Sequence, residues 1–527
     1  MNLGEVAAGP PLDLAVIGGG INGCAITAEA ARRGLHVALF EQDDFGFGTT
    51  WRTTKLIHGG LRYLEHGDAR LVFESLRERA WLLKTRPHLV LPQRFVLPVL
   101  PWTRRPAWQV HAGLSLYDLL AMHGGVPPHR RLSETRLHEL MPALPRDTHD
   151  GFSFFDARAI APERLALELA LEGERGGAFI QNHAAVRRIE VREGHVATIE
   201  VEAAGERVSI PVKAVINAAG PWVDAVNAIA EMPHRRLLGV TRGTHVVFEP
   251  DTNIGRDAVF STARSDGRVI FAVPQGDQLL VGTTDERYEG DPGDIRPTGE
   301  DIDYLLDEVQ ALLPGLQLRR DQIRYAYAGL RPLQKVGGGP EASITRRHAV
   351  IDHGEDVGAE GLYSVVGGKL STFRPLANDA MKAIDAPALR AAATEPSREW
   401  RDVLAGSGLP PKVMAHLRMY GPSVRAVIED SNGILCEHAH AVDGEVKQAI
   451  GEHATSLSDI LMRRTGIAWA SCRGLCCKER AAELAGAILD WDVAERSRQV
   501  AAFEAEVARH LPTAQSLAEE RNDDGQP

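Results

Sequence analysis

The run DLAVIGGGINGCAITAEAARRGLHVALFEQDD, residues 13–44, leaves little freedom in how this part of the chain folds. Leu14 to Ile17 read as a buried strand that ends in the glycine turn GGGING. In a strand–turn–helix unit of this kind, Gly18 permits the sharp exit from the strand and Gly20 lets backbone approach a pyrophosphate. Gly23 lets the next helix pack closely on the sheet. The spacing predicts that helix from about Ile21 to Arg33, with Cys24, Ala25, Ala28 and Ala31 facing the strand and Gly34 at a left-handed C-cap. A second apolar run, His36 to Phe40, ends in Glu41. A carboxylate roughly 20 residues beyond the glycines is placed to accept hydrogen bonds from an adenosine ribose. Glycine-rich turns also serve plain strand-to-helix packing, but turn, helix and acid together point to a dinucleotide. Spacing alone does not choose between NAD and FAD.

A chain of 527 residues can form two or three domains with cores of their own. Its net charge of −12 argues against general nucleic-acid binding, which needs a basic surface. No apolar run approaches the roughly 20 residues of a membrane-spanning helix. MNLGEVAAGPP lacks the basic and apolar regions of a signal peptide. Five cysteines, mostly late in the chain, do not make a disulfide framework, so a cytoplasmic setting is expected. Cys472, Cys476 and Cys477 are spaced C-x3-C-C, which matches no familiar zinc or cluster pattern. They read as core or surface thiols, and no metal is expected.

After Glu41, the loop Gly46 to Lys55 is rich in glycine and threonine, with Thr49, Thr50, Arg52 and Lys55 suited to a diphosphate and a flavin edge. KLIHGGLRYLE gathers Lys55, His58 and Arg62 around Gly59 and Gly60, ahead of a helix from about Asp68 to Thr85. Residues Gln93 to Leu119 interleave Trp102 and Trp108 with Arg94, Arg104, Arg105 and several prolines. Proline density argues against one continuous helix there. A membrane-interface patch and a loop with its tryptophans in a core both fit.

Farther on, Ala161 to Gly177 reads as a helix, followed by a strand meander around EGH. An apolar strand, Ala214 to Ile216, then runs into Asn217-Ala218-Ala219-Gly220. Thr241 to Phe248 and Arg268 to Asp285 alternate as strands of a mostly antiparallel sheet. Ile302, Leu305, Leu306, Val309 and Leu312 form the core face of an amphipathic helix. YAYAGLRPL carries Tyr327 and Arg331, and ITRRHAVID carries Arg346 and Arg347. LYSVVGGKLSTFRPLA places Gly368 beside a helix start at Ser371 and Thr372, whose free amides favour negative charge. Beyond about Ala383 the chain is predominantly helical.

The glycine turn, KLIHGGLRYLE, GLRP, ITR and GGKLSTFR, in that order, resemble the FAD-dependent glycerol-3-phosphate dehydrogenases of the D-amino-acid-oxidase-like flavoprotein superfamily. The likeness covers roughly Asp13 to Ala380, and SDILMRRTGIAW resembles the same family's C-terminal helical cap. It implies an α/β fold: a Rossmann-like FAD-binding domain, an inserted, mostly antiparallel substrate domain and a helical cap. The expected boundaries are 11–90, 155–235 and 345–382 for the first, 91–154 and 236–344 for the second, and 395–512 for the cap. Residues 513–527 are expected to be a disordered tail.

The resemblance also implies oxidation of sn-glycerol 3-phosphate to dihydroxyacetone phosphate with FAD. A membrane quinone would accept the electrons at the inner face of the cytoplasmic membrane, although some relatives use oxygen, and a homodimer is allowed. An alcohol oxidation needs a base for the proton and cations for a phosphate dianion. His245 is the first choice of base and His58 the second, and Arg331 is placed nearest the reacting carbon. Arg62, Arg346 and Lys369 are candidates for the phosphate, with Tyr63 and Thr284 as hydrogen-bonding partners. Gly18, Gly20, Asn22, Gly23, Glu41, Thr49, Thr50, Lys55, His58, Gly59, Val186, Ala219, Gly220, Gly368, Leu370 and Ser371 would line the cofactor.

Two departures bear on the substrate. Trp51 stands where the family has small hydroxyl residues, and Pro162-Glu163-Arg164-Leu165 replaces an Asp-Asp-Ala-Arg-Leu helix start. Another polyol phosphate is therefore an alternative, as are an amine or amino-acid oxidase and a non-catalytic, flavin-binding redox sensor.

Overall fold

The computed structural model describes residues 2–61, 64, 68–121, 124–230, 235–252, 254–335, 347–389 and 398–511. Arg62, Tyr63, Arg346 and the tail 513–527 lie outside them. The chain divides into two compact units. One comprises Met1–Trp51, Ala161–Thr241 and Arg331–Glu506, and the other Arg52–Ile160, Arg242–Leu330 and Val507–Pro527.

The first unit is built on a six-stranded sheet in the order Ala349–Asp352, Leu362–Val366, Val215–Asn217, Leu14–Ile17, Val37–Phe40, Phe179–Gln181. All neighbours are parallel except the first pair. Every residue of Leu14–Ile17 and Val37–Phe40 is buried, as strands covered on both faces require. Leu14–Ile17 lies between Val37–Phe40 and Val215–Asn217, so strand order reverses at its carboxyl end, where open α/β sheets bind ligands. The helix Ile21–Arg32 follows at once and ends before Gly34, which takes φ +78°. It packs against the helices Pro162–Arg175 and Phe373–Ala383. A three-stranded antiparallel sheet, Ala184–Arg192, His195–Ala203 and Glu206–Pro211, forms the expected meander, its turn made by Glu193 and Gly194 at positive φ.

The C-terminal segment is mainly short helices, with longer ones at Lys478–Leu489 and Val493–Ala508. In contacts it groups with the nucleotide-binding sheet in one unit. Buried charges tie the two together. Asp44, three residues past Glu41, accepts from Arg464 Nη1 and Nη2 at 2.6 and 2.7 Å and from Arg463 Nε at 2.9 Å. Asp44 and Arg464 are fully buried. The first unit takes up the chain again at Arg331.

The second unit carries a ten-stranded, mostly antiparallel sheet. Val90–Pro98 lies between Ala258–Thr262, with which it pairs parallel, and Gly151–Ala159, with which it pairs antiparallel. The helix Gly299–Leu312, opened by a capping box of Thr298 and Asp301, sets Ile302, Leu305, Val309 and Leu312 into the core beside Val246, Phe248, Ile270 and Val281. Leu306 packs at its edge. The stretch Gln93 to Leu119 resolves into the strand Val90–Pro98 and the helix Ala107–Leu120. Trp102 packs partly against the core, with Nε1 donating to the Thr262 carbonyl, whereas Trp108 is 68% exposed.

Candidate cofactor and substrate site

The glycine turn is fixed by steric fit. A Cβ at Gly23 would lie 1.9 Å from the Gly18 carbonyl oxygen, and one at Gly18 would lie 2.8 Å from that of Ala218. The turn therefore nests against the end of Val215–Asn217, and Ala219 and Gly220 follow it there. At the start of the helix, the Ile21 N–H donates to Thr50 Oγ1 at 3.0 Å, which brings the threonine loop onto the helix N-terminus. Thr49 beside it is half-buried.

Glu41 accepts from the Gly19 N–H at 2.5 Å and the Asp43 N–H at 2.9 Å. The side chain keeps some surface, yet its carboxyl is desolvated. Burial pushes it up to about 7, against the pull of those two amides. A carboxylate offers about four lone-pair sites, so acceptor capacity remains for a ribose. Asn22 Oδ1 is buried and has no hydrogen-bond partner among the described residues. A buried acceptor left over in the cradle is what a bound dinucleotide would satisfy. The residues present fit FAD.

The later motifs meet this turn from the other side. A Cβ on Gly368, which takes φ +95°, would lie 3.1 Å from Asn22 Nδ2. Gly367 donates its N–H to the Pro332 carbonyl at 2.9 Å. GLRP and VVGGKLS are thus joined by backbone, with Arg331 next to Pro332 and Lys369 next to Gly368, both half-buried. Leu370 is half-buried and Ser371 buried, just ahead of the helix Phe373–Ala383. Val186 lies apart from these residues in chain order, on the meander strand Ala184–Arg192.

In the second unit, His245 sits on the long strand Leu238–Phe248 with 2% of its surface exposed. Its ring stacks on Tyr327 with centroids 5.0 Å apart, and Nε2 lies 2.8 Å from Thr54 Oγ1. Tyr327 in turn donates its hydroxyl to the Thr53 carbonyl at 2.7 Å. The threonine loop and YAYAGLRPL, far apart in sequence, therefore meet at His245. Thr284 is buried, and its Oγ1 accepts from the Thr244 N–H at 2.9 Å.

Lys55 is buried at φ +58°, an uncommon conformation for a residue with a side chain. His58 follows the short strand Leu56–Ile57 with its ring 6.3 Å from that of Phe271. Gly59 donates its N–H to the Tyr117 hydroxyl at 2.9 Å. Tyr117 donates to Asp156, which also pairs with the buried Arg79 at 2.6 Å. This buried network holds the His58-Gly59-Gly60 corner.

Both departures from the family pattern lie in the first unit, against the C-terminal segment. Trp51 is buried and stacks on Trp469, ring centroids 4.6 Å apart. Arg164 is buried and paired with Glu452. Of the late cysteines, Cys472 and Cys476 come together with Cys436 and His438, while Cys477 points its thiol at the Gly474 carbonyl. The sequence reading had no partner for Thr54, Asp44, Arg463, Arg464, Cys436 or His438. No local pattern signals these contacts: Thr54 and His245, for example, are 191 residues apart.

A doubly wound sheet with this turn, this acid and an unsatisfied Asn22 Oδ1 defines a dinucleotide-binding fold, and the family it matches makes the class that of the FAD-dependent oxidoreductases. The family described as FAD dependent oxidoreductase matches residues 13–371, and the C-terminal domain of alpha-glycerophosphate oxidase matches 378–496. The chain is 39% identical to a glycerol-3-phosphate dehydrogenase of Synechocystis over 70% of its length and 68% of that protein. It is also 39% identical to the D-erythritol 1-phosphate dehydrogenase of Brucella abortus, over 70% of this chain and 72% of that one. The crystal structure of glycerol-3-phosphate dehydrogenase from Bacillus halodurans with FAD superposes with a TM-score of 0.77 at 26% identity, covering 96% of each chain. The chain belongs to the family of FAD-dependent glycerol-3-phosphate dehydrogenases, and its cofactor is FAD.

Proposed function

We propose that the protein oxidises sn-glycerol 3-phosphate to dihydroxyacetone phosphate and that a membrane quinone takes the electrons. The observation that carries this reading is the 39% identity to a protein named for that activity, over 70% of the chain. Bound FAD would supply the hydride acceptor.

The chain's own residues would do the rest. His245 is the proposed base for the C2 hydroxyl proton, its ring already oriented by Tyr327 and Thr54. His58 is the alternative. Arg331, beside the Pro332–Gly367 contact, is assigned to stabilise alkoxide character at C2. Arg62, Arg346 and Lys369 are assigned to the phosphate, and Tyr63 and Thr284 to substrate hydroxyls. Among the described residues no helix is long and apolar enough to cross a membrane. Support for peripheral contact comes from the helix Ala107–Leu120, where Trp108, Ala112, Leu116 and Leu119 recur at helical spacing and are exposed.

A second reading, oxidation of a four-carbon polyol phosphate, has equal support from the equal identity to the D-erythritol 1-phosphate dehydrogenase. Anaerobic titration of the purified flavoprotein with each phosphate separates the two. Bleaching of the flavin at lower concentrations of sn-glycerol 3-phosphate supports the first, and the reverse order supports the second. Bleaching by an amino acid alone would overturn both. Turnover with a soluble quinone analogue, set against oxygen consumption, tests the acceptor.

A further inference from the structure

Cys436, His438, Cys472 and Cys476 each offer one ligand atom, and all four atoms lie within 4.8 Å of one another. Cys436 Sγ is 3.5 Å from Cys472 Sγ and 3.6 Å from Cys476 Sγ, and Cys476 Sγ is 3.7 Å from His438 Nδ1. With Zn–S near 2.3 Å and Zn–N near 2.0–2.1 Å, a tetrahedral ion separates two sulfurs by about 3.8 Å, and a sulfur from a nitrogen by about 3.6 Å. These three separations lie within about 0.3 Å of those edges. A disulfide would need a single pair at about 2.0 Å, whereas Cys436 is shared almost equally between two thiols. We propose that these four residues bind one Zn²⁺ as a closed Cys3His structural site in the C-terminal segment.

The backbone is built for such a site. Cys436 ends the strand Ile434–Cys436, paired with Ala441–Val442, and its Sγ accepts the Ala439 N–H at 3.4 Å across the turn. N–H donation to a ligating sulfur orients it and disperses its charge. His440 closes this turn at φ +57°. The second ligand pair frames the turn Cys472-Arg-Gly-Leu-Cys476, where the Leu475 N–H donates to the Cys472 carbonyl at 3.0 Å. Arg473 and Gly474 there take φ of +56° and +73°. Gly474 packs beneath Phe503, for a Cβ would lie 2.9 Å from its ring. The helix Lys478–Leu489 begins directly afterwards.

The ion would therefore clamp a two-stranded hairpin to a helix start, in a segment otherwise made of short helices. Three thiolates and one imidazole select zinc over magnesium, calcium or manganese, which prefer oxygen. Four protein ligands leave no open position, so the site is structural rather than catalytic. Cys477, one residue along, lies outside the set.

The test is the metal content of the full-length holoenzyme, purified with zinc in the growth medium and no chelator. About one zinc per chain is expected, released by a mercurial thiol reagent together with loss of the segment's thermal stability. Replacing zinc with Co²⁺ should give the intense visible bands of tetrahedral cobalt bound to thiolate. Cys477→Ser should keep the metal, and Cys476→Ser should lose most of it while FAD remains bound. If Cys476→Ser does not fold, the wild-type stoichiometry and cobalt spectrum still decide. Less than a tenth of an equivalent after loading the reduced protein with excess Zn²⁺ would overturn the proposal. So would an iron–sulfur chromophore, or a Cys436–Cys472 disulfide persisting under reducing conditions.

Discussion

Arg164 donates Nη1 and Nη2 to the two carboxylate oxygens of Glu452 at 2.9 and 2.8 Å, with both side chains almost wholly buried. Its Nε donates to the Met419 carbonyl, and its guanidinium lies 4.2 Å from the Tyr420 ring. Burial alone would disfavour the charge, but Glu452 overrides it and holds Arg164 firmly protonated. The Pro162-Glu163-Arg164-Leu165 stretch, which reads in the sequence as a hint of altered substrate, ties its helix to the C-terminal segment. Trp51 does likewise through Trp469.

Breaking that pair should therefore cost stability and leave specificity alone. Glu452→Ala strands a buried guanidinium, a loss of about 3–5 kcal/mol. The unfolding temperature of the holoenzyme should fall by several degrees. The ratio of kcat/KM for sn-glycerol 3-phosphate to that for D-erythritol 1-phosphate should stay within about twofold, since additivity holds between separate sites. A tenfold change in that ratio would return Arg164 to substrate recognition.

A pH dependence of cofactor binding follows from Glu41. Its carboxyl stands at about 7 in the folded chain, against an ordinary 4.5. Between those values the folded apoprotein holds a proton that the unfolded chain has released. This group's contribution to apoprotein stability is therefore greatest at low pH and is lost as pH rises through 7. FAD has the opposite preference, because ribose hydroxyls donate best to the ionised carboxylate. The Kd for FAD should tighten by about tenfold from pH 6 to pH 8. Glu41→Gln should bind more weakly at pH 8 and show a flat profile. Equal affinities for the wild-type protein at the two pH values would remove Glu41 from ribose recognition.

The parts of the molecule legible in its sequence are those whose cause is local. Gly23 had to be glycine because its neighbour across the turn is Gly18, and both lie in one strand–turn–helix unit. Likewise Ile302, Leu305, Val309 and Leu312 repeat at helical spacing on a single helix. What escaped was contact between distant segments. Arg164 and Glu452 are 288 residues apart, and Asp44 and Arg464 are 420 apart. In MRRTG, two adjacent arginines are both buried against Asp44. Those long-range ion pairs join the C-terminal segment to the nucleotide sheet. The grouping of the cysteines was hidden for the same reason. C-x3-C-C names no metal motif, and its complement, Cys436-x-His438, lies on a hairpin far upstream.

His245 offers the sharpest test of the chemistry. Its ring is held flat against Tyr327, planes 18° apart, with Nε2 on Thr54 Oγ1. On the paired strand, Gly282 leaves room for it, since a Cβ there would lie 2.3 Å from His245 Cδ2. A ring gripped in this way keeps one orientation, as a proton acceptor must. His245→Asn removes the basic nitrogen but keeps a polar side chain of smaller size. The protein should remain yellow, while the rate of flavin reduction by the phosphate falls about 10²–10⁴-fold and loses its acid limb. Thr54→Val removes only the hydroxyl that orients Nε2, and should cost about tenfold or less. A near-normal rate in His245→Asn, with a collapse in His58→Asn, would move the base to His58, on the corner held by Tyr117 and Asp156.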